Sequence, residues 1–324
     1  MARDLTNAIG KSIEISSSIL LNTEMSKSYS QAEILIAGPA RNNEDLLAAE
    51  VGTLLNSVAG FRKAYCLVLE SDSTDNTVGE LERIKQSTPS FDFISLGHLA
   101  KKMPKRTERL AFARNRIVEE IRSNPMYANV DFIVMADLDG INRNMTREKI
   151  EACWDLNAPW DVLAAIQSER YYDIWALRHP DWSPIDCFTQ RSRLEKVIGK
   201  DAANNLAIKA KQVALPLTGT IEVDSAFGGL AIYKRDALLA GHYLGLDHAG
   251  NEACEHVSFH SDLRKAGYRI YINCALVNSA HHIDPPPPLP KGRTMAGIKF
   301  LQKIGIALFG QERFHKYLDL LKNS

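Results

Sequence analysis

Between residues 33 and 136 short apolar runs alternate with amphipathic stretches, and this alternation limits the folds open to the chain more than any other feature. Residues 34–37, 65–69, 91–96 and 130–136 are too short for buried helices and carry the β-branched or aromatic content of strands. Between them, residues 45–59 set Leu47, Val51, Leu54, Leu55 and Val58 at helical spacing, and 78–85 follow a polar capping run. Residues 110–121 place Leu110, Ala113 and Ile117 on one stripe. Such strand–helix–strand repeats predict an α/β fold with a Rossmann-like, mostly parallel central sheet flanked by helices and joined by right-handed crossovers. Farther on, 162–166, 227–233, 268–272 and 275–277 read as strands and 255–266 as a helix. Residues 167–226 mix aromatics, prolines and charges without a clear period and read as an insertion. The domain so outlined covers 31–284, preceded by a Ser-rich arm or helix over 1–30. It is followed by a stiff Pro run at 285–288 and a C-terminal lid and helical extension within 285–324.

Lys plus Arg and Asp plus Glu both total 39, so no global field draws a polyanion and no nucleic-acid partner is expected. The five cysteines (Cys66, Cys153, Cys187, Cys254, Cys274) form no C-x-x-C pair and read as buried thiols of a reducing compartment. No apolar run approaches the roughly 20 residues of a membrane span, and the first residues lack a signal-peptide core. A cytoplasmic protein is expected.

The fourth apolar run ends in Asp137-Leu138-Asp139-Gly140. Open α/β sheets bind ligands beyond the carboxyl ends of their strands, and carboxylates at i and i+2 share a side while the backbone stays extended. Paired oxygen donors suit a hard divalent cation, Mn²⁺ or Mg²⁺, whose shell substrate phosphates complete. An Asp-rich turn reversed at Gly140 accounts for the same letters. Two further polar clusters end the first two runs: Pro39, Arg41 and Asn42, then residues 70–75. In a parallel sheet the three clusters line one cleft. Glu70, an acceptor only, suits ribose hydroxyls or a base N–H, and Arg41 suits base or phosphate, while Asp75 reads as a helix cap. Arg109 and Asn115 are candidate contacts to sugar or diphosphate, unless the arginines of 106–116 form a solvated face. Gly228-Gly229 lets backbone approach a ligand, or marks a bulge. Lys291 and Arg293 read as a clamp on a diphosphate or as solvated loop charges.

Taken in order, A-G-P-A-R-N (37–42), E-S-D-S-T-D-N-T (70–77), R-L-A-F-A-R-N-R (109–116), D-L-D-G (137–140), F-G-G-L-A-I-Y-K (227–234), C-E-H-V-S-F-H (254–260) and A-H-H (280–282) resemble the motifs of nucleotide-sugar-dependent glycosyltransferases of the A-type fold. More narrowly, the set resembles the fungal capsule-associated (cryptococcal) α-mannosyltransferase family and its bacterial relatives. The resemblance implies that Glu70 binds the nucleoside, that Asp137, with Leu138 beside it, binds ribose or sugar, and that Asp139 holds the cation. His281, or alternatively His282, would complete the metal shell. Glu255 would be the third carboxylate: a base in an inverting enzyme, or the residue that positions the acceptor in a retaining one. The family's usual Glu-Asp is here Glu255-His256.

With GDP-mannose as the implied donor and an α-linked product, retention follows. The implied acceptor is a carbohydrate or lipid-linked glycan of a capsule or other polysaccharide, with 167–226 on the acceptor side. The C-terminal helices would pack onto the main domain or, as the alternative, make peripheral contact with the inner face of the membrane, since many such acceptors are lipid-linked. Two other readings are a sugar nucleotidyltransferase and a non-catalytic glycan- or nucleotide-binding subunit of the same fold. The first wants a Gly-rich triphosphate loop after the first strand, and the second has no use for an intact acidic pair.

Overall fold

The apolar runs become strands because a sheet with helices on both sides lets each strand bury both faces. β1 (Glu33–Ala40), β2 (Lys63–Glu70), β3 (Phe91–Ser95), β4 (Phe132–Ala136), β5 (Val162–Gln167), β6 (Thr220–Val223), β7 (Leu230–Lys234) and β8 (Ile270–Ser279) form one eight-stranded sheet in the order β3-β2-β1-β4-β7-β5-β8-β6. The structure is a computed structural model and describes residues 27–281. β1 to β5 and β8 run one way; β7, wedged between β4 and β5, and the edge strand β6 run against them. The expected α/β class, a mostly parallel sheet flanked by helices, is what forms.

The helices are α1 (Leu47–Ser57), α2 (Thr77–Ser87), α3 (Arg106–Ser123), α4 (Arg147–Glu151), α5 (Cys187–Ile198), α6 (Lys200–Ala207), α7 (Arg235–Ala240) and α8 (Glu255–Lys265). Strand alternation divides the core. Ile34, Ile36, Cys66, Val68, Val134 and Leu163 join Leu47, Val51 and Leu54 of α1 and Leu81 and Ile84 of α2 in one cluster. Each such fully buried aliphatic side chain contributes roughly 1.5–3 kcal/mol. The intervening residues, Leu35, Ile133 and Met135 among them, are equally buried and supply the opposite face, where α3, α7 and α8 pack. At the amino-terminal edge Tyr29, Phe61, Phe132, Trp154 and Trp160 stack edge to face and seal the sheet with an apolar cluster. The polar groups gather at the other edge.

That edge contains a topological switch. After β1 the chain moves outward through β2 and β3, then α3 carries it back across to β4 on the other side of β1. Open α/β sheets usually bind ligands at such a switch point, here beside the loops leaving β1 and β4, which Asn43 ties together by donating to the Leu138 carbonyl.

Several expected boundaries shift for identifiable reasons. β1 runs on through Gly38 and Pro39 to Ala40; a Cβ on Gly38 would stand 2.0 Å from the Ala136 carbonyl oxygen, so only glycine keeps β1 and β4 in register there. β7 begins at Leu230 rather than 227 because Gly228 and Gly229 take φ of 67° and 82°, outside strand geometry. The two short runs 268–272 and 275–277 are one strand, β8, whose pairing with β5 is broken by register shifts. Within 167–226 lie α5, α6 and the unanticipated β6, which pairs antiparallel with β8. The expectations for residues 1–26, His282, the Pro run, Lys291, Arg293 and the C-terminal helices lie outside the described residues.

Candidate active site

Two loops meet at the switch. Asp137–Gly140 leaves β4, and Phe227-Gly228-Gly229 enters β7, the antiparallel neighbour of β4, so the Asp137 N–H donates to the Gly229 carbonyl at 2.9 Å. The glycine pair is required by protein packing. A Cβ on Gly228 would lie 2.1 Å from the Ala165 carbonyl oxygen, and one on Gly229 would lie 2.9 Å from Ile141. Leu138 is buried at 3% exposure, which leaves Asp137 half-covered and Asp139 exposed on either side of it.

The loop is held from beneath by a buried polar network. Glu50 of α1 accepts the N–H of Gly140 at 2.6 Å and the N–H and side-chain amide of Asn142 at 3.1 Å each. Asn142 also donates to the Asp137 carbonyl at 2.7 Å. Asn278, near the end of β8, donates to Asn142 at 3.0 Å and to the Gly228 carbonyl at 2.9 Å. Gln167, the last residue of β5, donates to the same carbonyl and to Asn278, both at 2.9 Å. Asn142, Gln167 and Asn278 are all fully buried. The Ile141 N–H turns to Asp139 Oδ1 at 3.3 Å. The N–H groups of residues 140–142 are thus all taken by carboxylates, and the outward side of the turn offers carboxylate oxygens. A turn of this kind receives a cation or hydroxyl donors.

Beside the loop lies an Arg114-centred ion cluster. Arg114, 1% exposed, sits in the middle of α3 with its guanidinium 5.2 Å above the Phe227 ring. It donates from Nη2 to Asp137 Oδ1 at 2.7 Å and from Nη1 to Glu255, the first residue of α8. Burial opposes its charge, but Glu255 and Asp137 outweigh burial and keep it firmly protonated. Desolvation, and then Asp139, Asp173 and Glu255, push the Asp137 carboxyl up to about 7 against the pull of Arg114. Desolvation likewise raises Glu50 to about 7, although its three N–H bonds resist. Asp173, raised by burial, accepts the Gly228 N–H at 3.0 Å. Tyr172 is close enough to Asp137 and Asp139 to feel both charges. His256 stacks on Phe227 with centroids 3.8 Å apart, and burial, with Arg114 and His260, keeps it neutral.

The rim formed by β1 and β2 differs. Glu70 ends β2 at 2% exposure and accepts the Ser73 N–H at 3.0 Å and the Ser95 hydroxyl at 2.6 Å. Asn42, at φ 49°, accepts the Thr74 N–H at 2.7 Å. Arg41 donates to the Asp72 carbonyl at 3.1 Å and is exposed. Pro39 is half-buried opposite Leu69. Asp75 sits one residue before the N-cap of α2 and accepts the Thr77 N–H at 3.1 Å.

Three expected site residues have other occupations. Arg109 donates to the Met103 and Pro104 carbonyls at 2.8 Å and stands 3.6 Å from Asp72. The Asn115 amide exchanges hydrogen bonds with the Tyr243 backbone at 2.8 and 2.9 Å, pinning the loop that follows α7. His281 follows β8, its Nδ1 3.7 Å from Glu169. Among the described residues no group of three or more His, Cys, Asp or Glu has metal-holding geometry. A cation here would be held by Asp139, with Asp137 beside it, and by substrate phosphate oxygens, a pattern common for Mg²⁺.

Arg114 and Glu50, which contact the Asp137–Gly140 turn, are not among the residues the sequence singles out, although the sequence carries their signal. Arg114 is in step with Ile117, Val118 and Ile121, and Glu50 with Leu47, Val51 and Leu54. A charge on an apolar helical stripe is buried and must find partners.

No family model matches the chain, and no curated protein matches it. Among solved structures it is similar to the mannosyltransferase PcManGT from Pyrobaculum calidifontis in complex with GDP-Man and Mn²⁺, at 15% identity and a TM-score of 0.44, over 85% of this chain and 62% of that one. It is also similar to TarS 1-349 of S. aureus in complex with UDP-GlcNAc, at 12% identity and a TM-score of 0.41, over 88% and 69%. A mycobacterial protein is similar at 14% identity and a TM-score of 0.39, over 82% and 72%. The chain thus spans less than two thirds of PcManGT. No helix among the described residues is long and apolar enough to cross a membrane.

Proposed function

We propose that this chain is a nucleotide-sugar glycosyltransferase of the A-type fold that transfers a sugar from a nucleotide diphosphate to a carbohydrate hydroxyl with Mn²⁺ or Mg²⁺. One observation carries the reading: at the switch point, the Asp137–Asp139 turn spends the N–H groups of residues 140–142 internally and turns carboxylate oxygens outward beside a buried Arg114–Glu255 pair. A diphosphate cannot bind such a turn directly, because like charges repel; it can bind through a divalent cation. When bound there, the cation neutralises charge on the departing diphosphate. Hard oxygen donors fit Mn²⁺ and Mg²⁺.

The chain's own groups divide the remaining work. Asp139 faces the cation. Glu70, Pro39, Arg41 and Asn42 form the nucleoside rim. Arg114 fixes Asp137 and Glu255 relative to each other, which suits Glu255 to orienting the acceptor hydroxyl rather than ranging as a free base. GDP-mannose as donor, retention, and a glycan or lipid-linked acceptor follow the sequence resemblance.

Thermal unfolding with and without Mn²⁺ in the presence of GDP, UDP, CDP or ADP tests the reading. One nucleotide should stabilise the protein in a Mn²⁺-dependent way, by about 2.7 kcal/mol at a hundredfold excess over its Kd. Equal stabilisation with chelator present, or none with any nucleotide, would refute it.

A further inference from the structure

Glu50 occupies a place where α1 would otherwise carry an aliphatic side chain. It lies between Leu47 and Leu54 on the buried stripe and is itself 4% exposed. Burying a carboxyl is costly unless hydrogen bonds compensate, and here they come from the turn after β4: the Gly140 N–H, the Asn142 N–H and the Asn142 amide. Gly140 accommodates the wrap with φ of 87°. Asn142 passes the restraint to the Asp137 carbonyl, and through Asn278 and Gln167 to the Gly228 carbonyl of the adjoining loop. A single carboxylate of α1 therefore stands at the root of both the turn after β4 and the Phe227-Gly228-Gly229 loop beside it.

We propose that Glu50 is a positioning residue for the Asp137–Asp139 pair, gripping the turn from inside so that Asp139 faces the donor's cation. The inference rests on the reading of Asp139 as the cation-facing residue. Without the Glu50 acceptor, the Gly140 and Asn142 N–H groups are left buried and unpaired, and the turn must rearrange to satisfy them. The carboxylates it presents move with it. Glu50 touches neither donor nor cation and acts through the loop.

The test compares wild type, E50Q and L54A. Leu54, 1% exposed, lies one turn farther along the same helix, so its truncation reports generic loosening of α1. Hydrogen–deuterium exchange of the peptide covering 137–142 reads the turn itself. The Mn²⁺ midpoint in the presence of whichever of GDP, UDP, CDP or ADP stabilises wild type, taken from loss of the free-Mn²⁺ resonance signal, reads its consequence. E50Q should speed the exchange and raise the midpoint about tenfold or more, as loss of a supporting partner does at metal sites. L54A should lower the melting temperature and leave both readouts near wild type. An E50Q protein with an unmoved midpoint, or an L54A protein that shifts equally, overturns the proposal. If E50Q does not accumulate as folded protein, N142A replaces it: a shift in both readouts supports the proposal and none overturns it. Wild type that takes up no Mn²⁺ with GDP, UDP, CDP or ADP refutes the functional reading itself; wild-type uptake with an unmoved E50Q refutes only the positioning.

Discussion

The two halves of the carboxyl edge handle charge in opposite ways. On the β1–β2–β3 side most polar groups find partners locally: Glu70 takes Ser73 and Ser95, Asn42 takes Thr74, Asp72 takes the Ala100 N–H while its other oxygen has Arg109 3.6 Å away, and Arg41 closes on the Asp72 carbonyl. On the β4–β7 side Asp137, Asp139, Asp173 and Glu255 gather near Arg114, and burial first, then the neighbouring carboxylates, raises the carboxyl of Asp137. A self-satisfied rim has a fixed shape and suits recognition. An acidic cluster with unbalanced charge is suited to a cationic partner, and reactive sites are where such imbalance concentrates. The comparison separates shape from chemistry along a single sheet edge.

Substitutions on the two sides should therefore differ in kind as well as size. The largest effect is expected for Asp139→Ala. Turnover should fall by about a thousandfold or more, as when a main electrostatic stabiliser is removed. Stability should fall by no more than about 1 kcal/mol, the worth of its hydrogen bond from the Ile141 N–H, since the side chain is otherwise exposed. A near-normal rate in a folded D139A protein would erase the distinction between the halves.

The next effect is a dependence of stability on pH. Glu50 rises from 4.5 to about 7 on folding, and Asp137 from 3.8 to about 7. The folded chain then keeps protons that the unfolded chain has released. This contribution is complete below the ordinary carboxylate range and is lost as pH rises through about 7. For Glu50 alone the loss is about 3 kcal/mol. Chemical denaturation between pH 4 and 8 should show wild type losing stability relative to E50Q as pH rises, and parallel curves would contradict a Glu50 held protonated by burial. The smallest effect belongs to the other half: Arg41→Ala should raise the donor KM a few-fold at unchanged kcat, the mark of uniform binding. A large fall in kcat would move Arg41 into the reacting half.

How much of this was legible in the sequence depends on range. The alternation over 33–136 predicts β1 to β4 and their three crossover helices because each element reports its burial through a local period. The Asp137–Asp139 pair was legible because it follows an uninterrupted apolar strand. Gly228-Gly229 stood out as letters, but its demand comes from Ala165 and Ile141, which no local pattern connects to it. Asn115 reads in the sequence as a candidate ligand contact, but no local pattern shows that its amide also holds Tyr243, more than a hundred residues away. The insertion resisted reading because α5 and α6 bury few side chains, leaving little period to detect.

By itself, the sequence determined that this chain builds an open α/β sheet and ends one of its strands in paired carboxylates, because burial periods and strand ends are properties of neighbouring residues. Tertiary structure alone decided that Arg114 and Glu255 meet Asp137, and that Glu50 props the turn from behind. Those encounters depend on strand order, and strand order is settled by packing between segments that lie far apart along the chain.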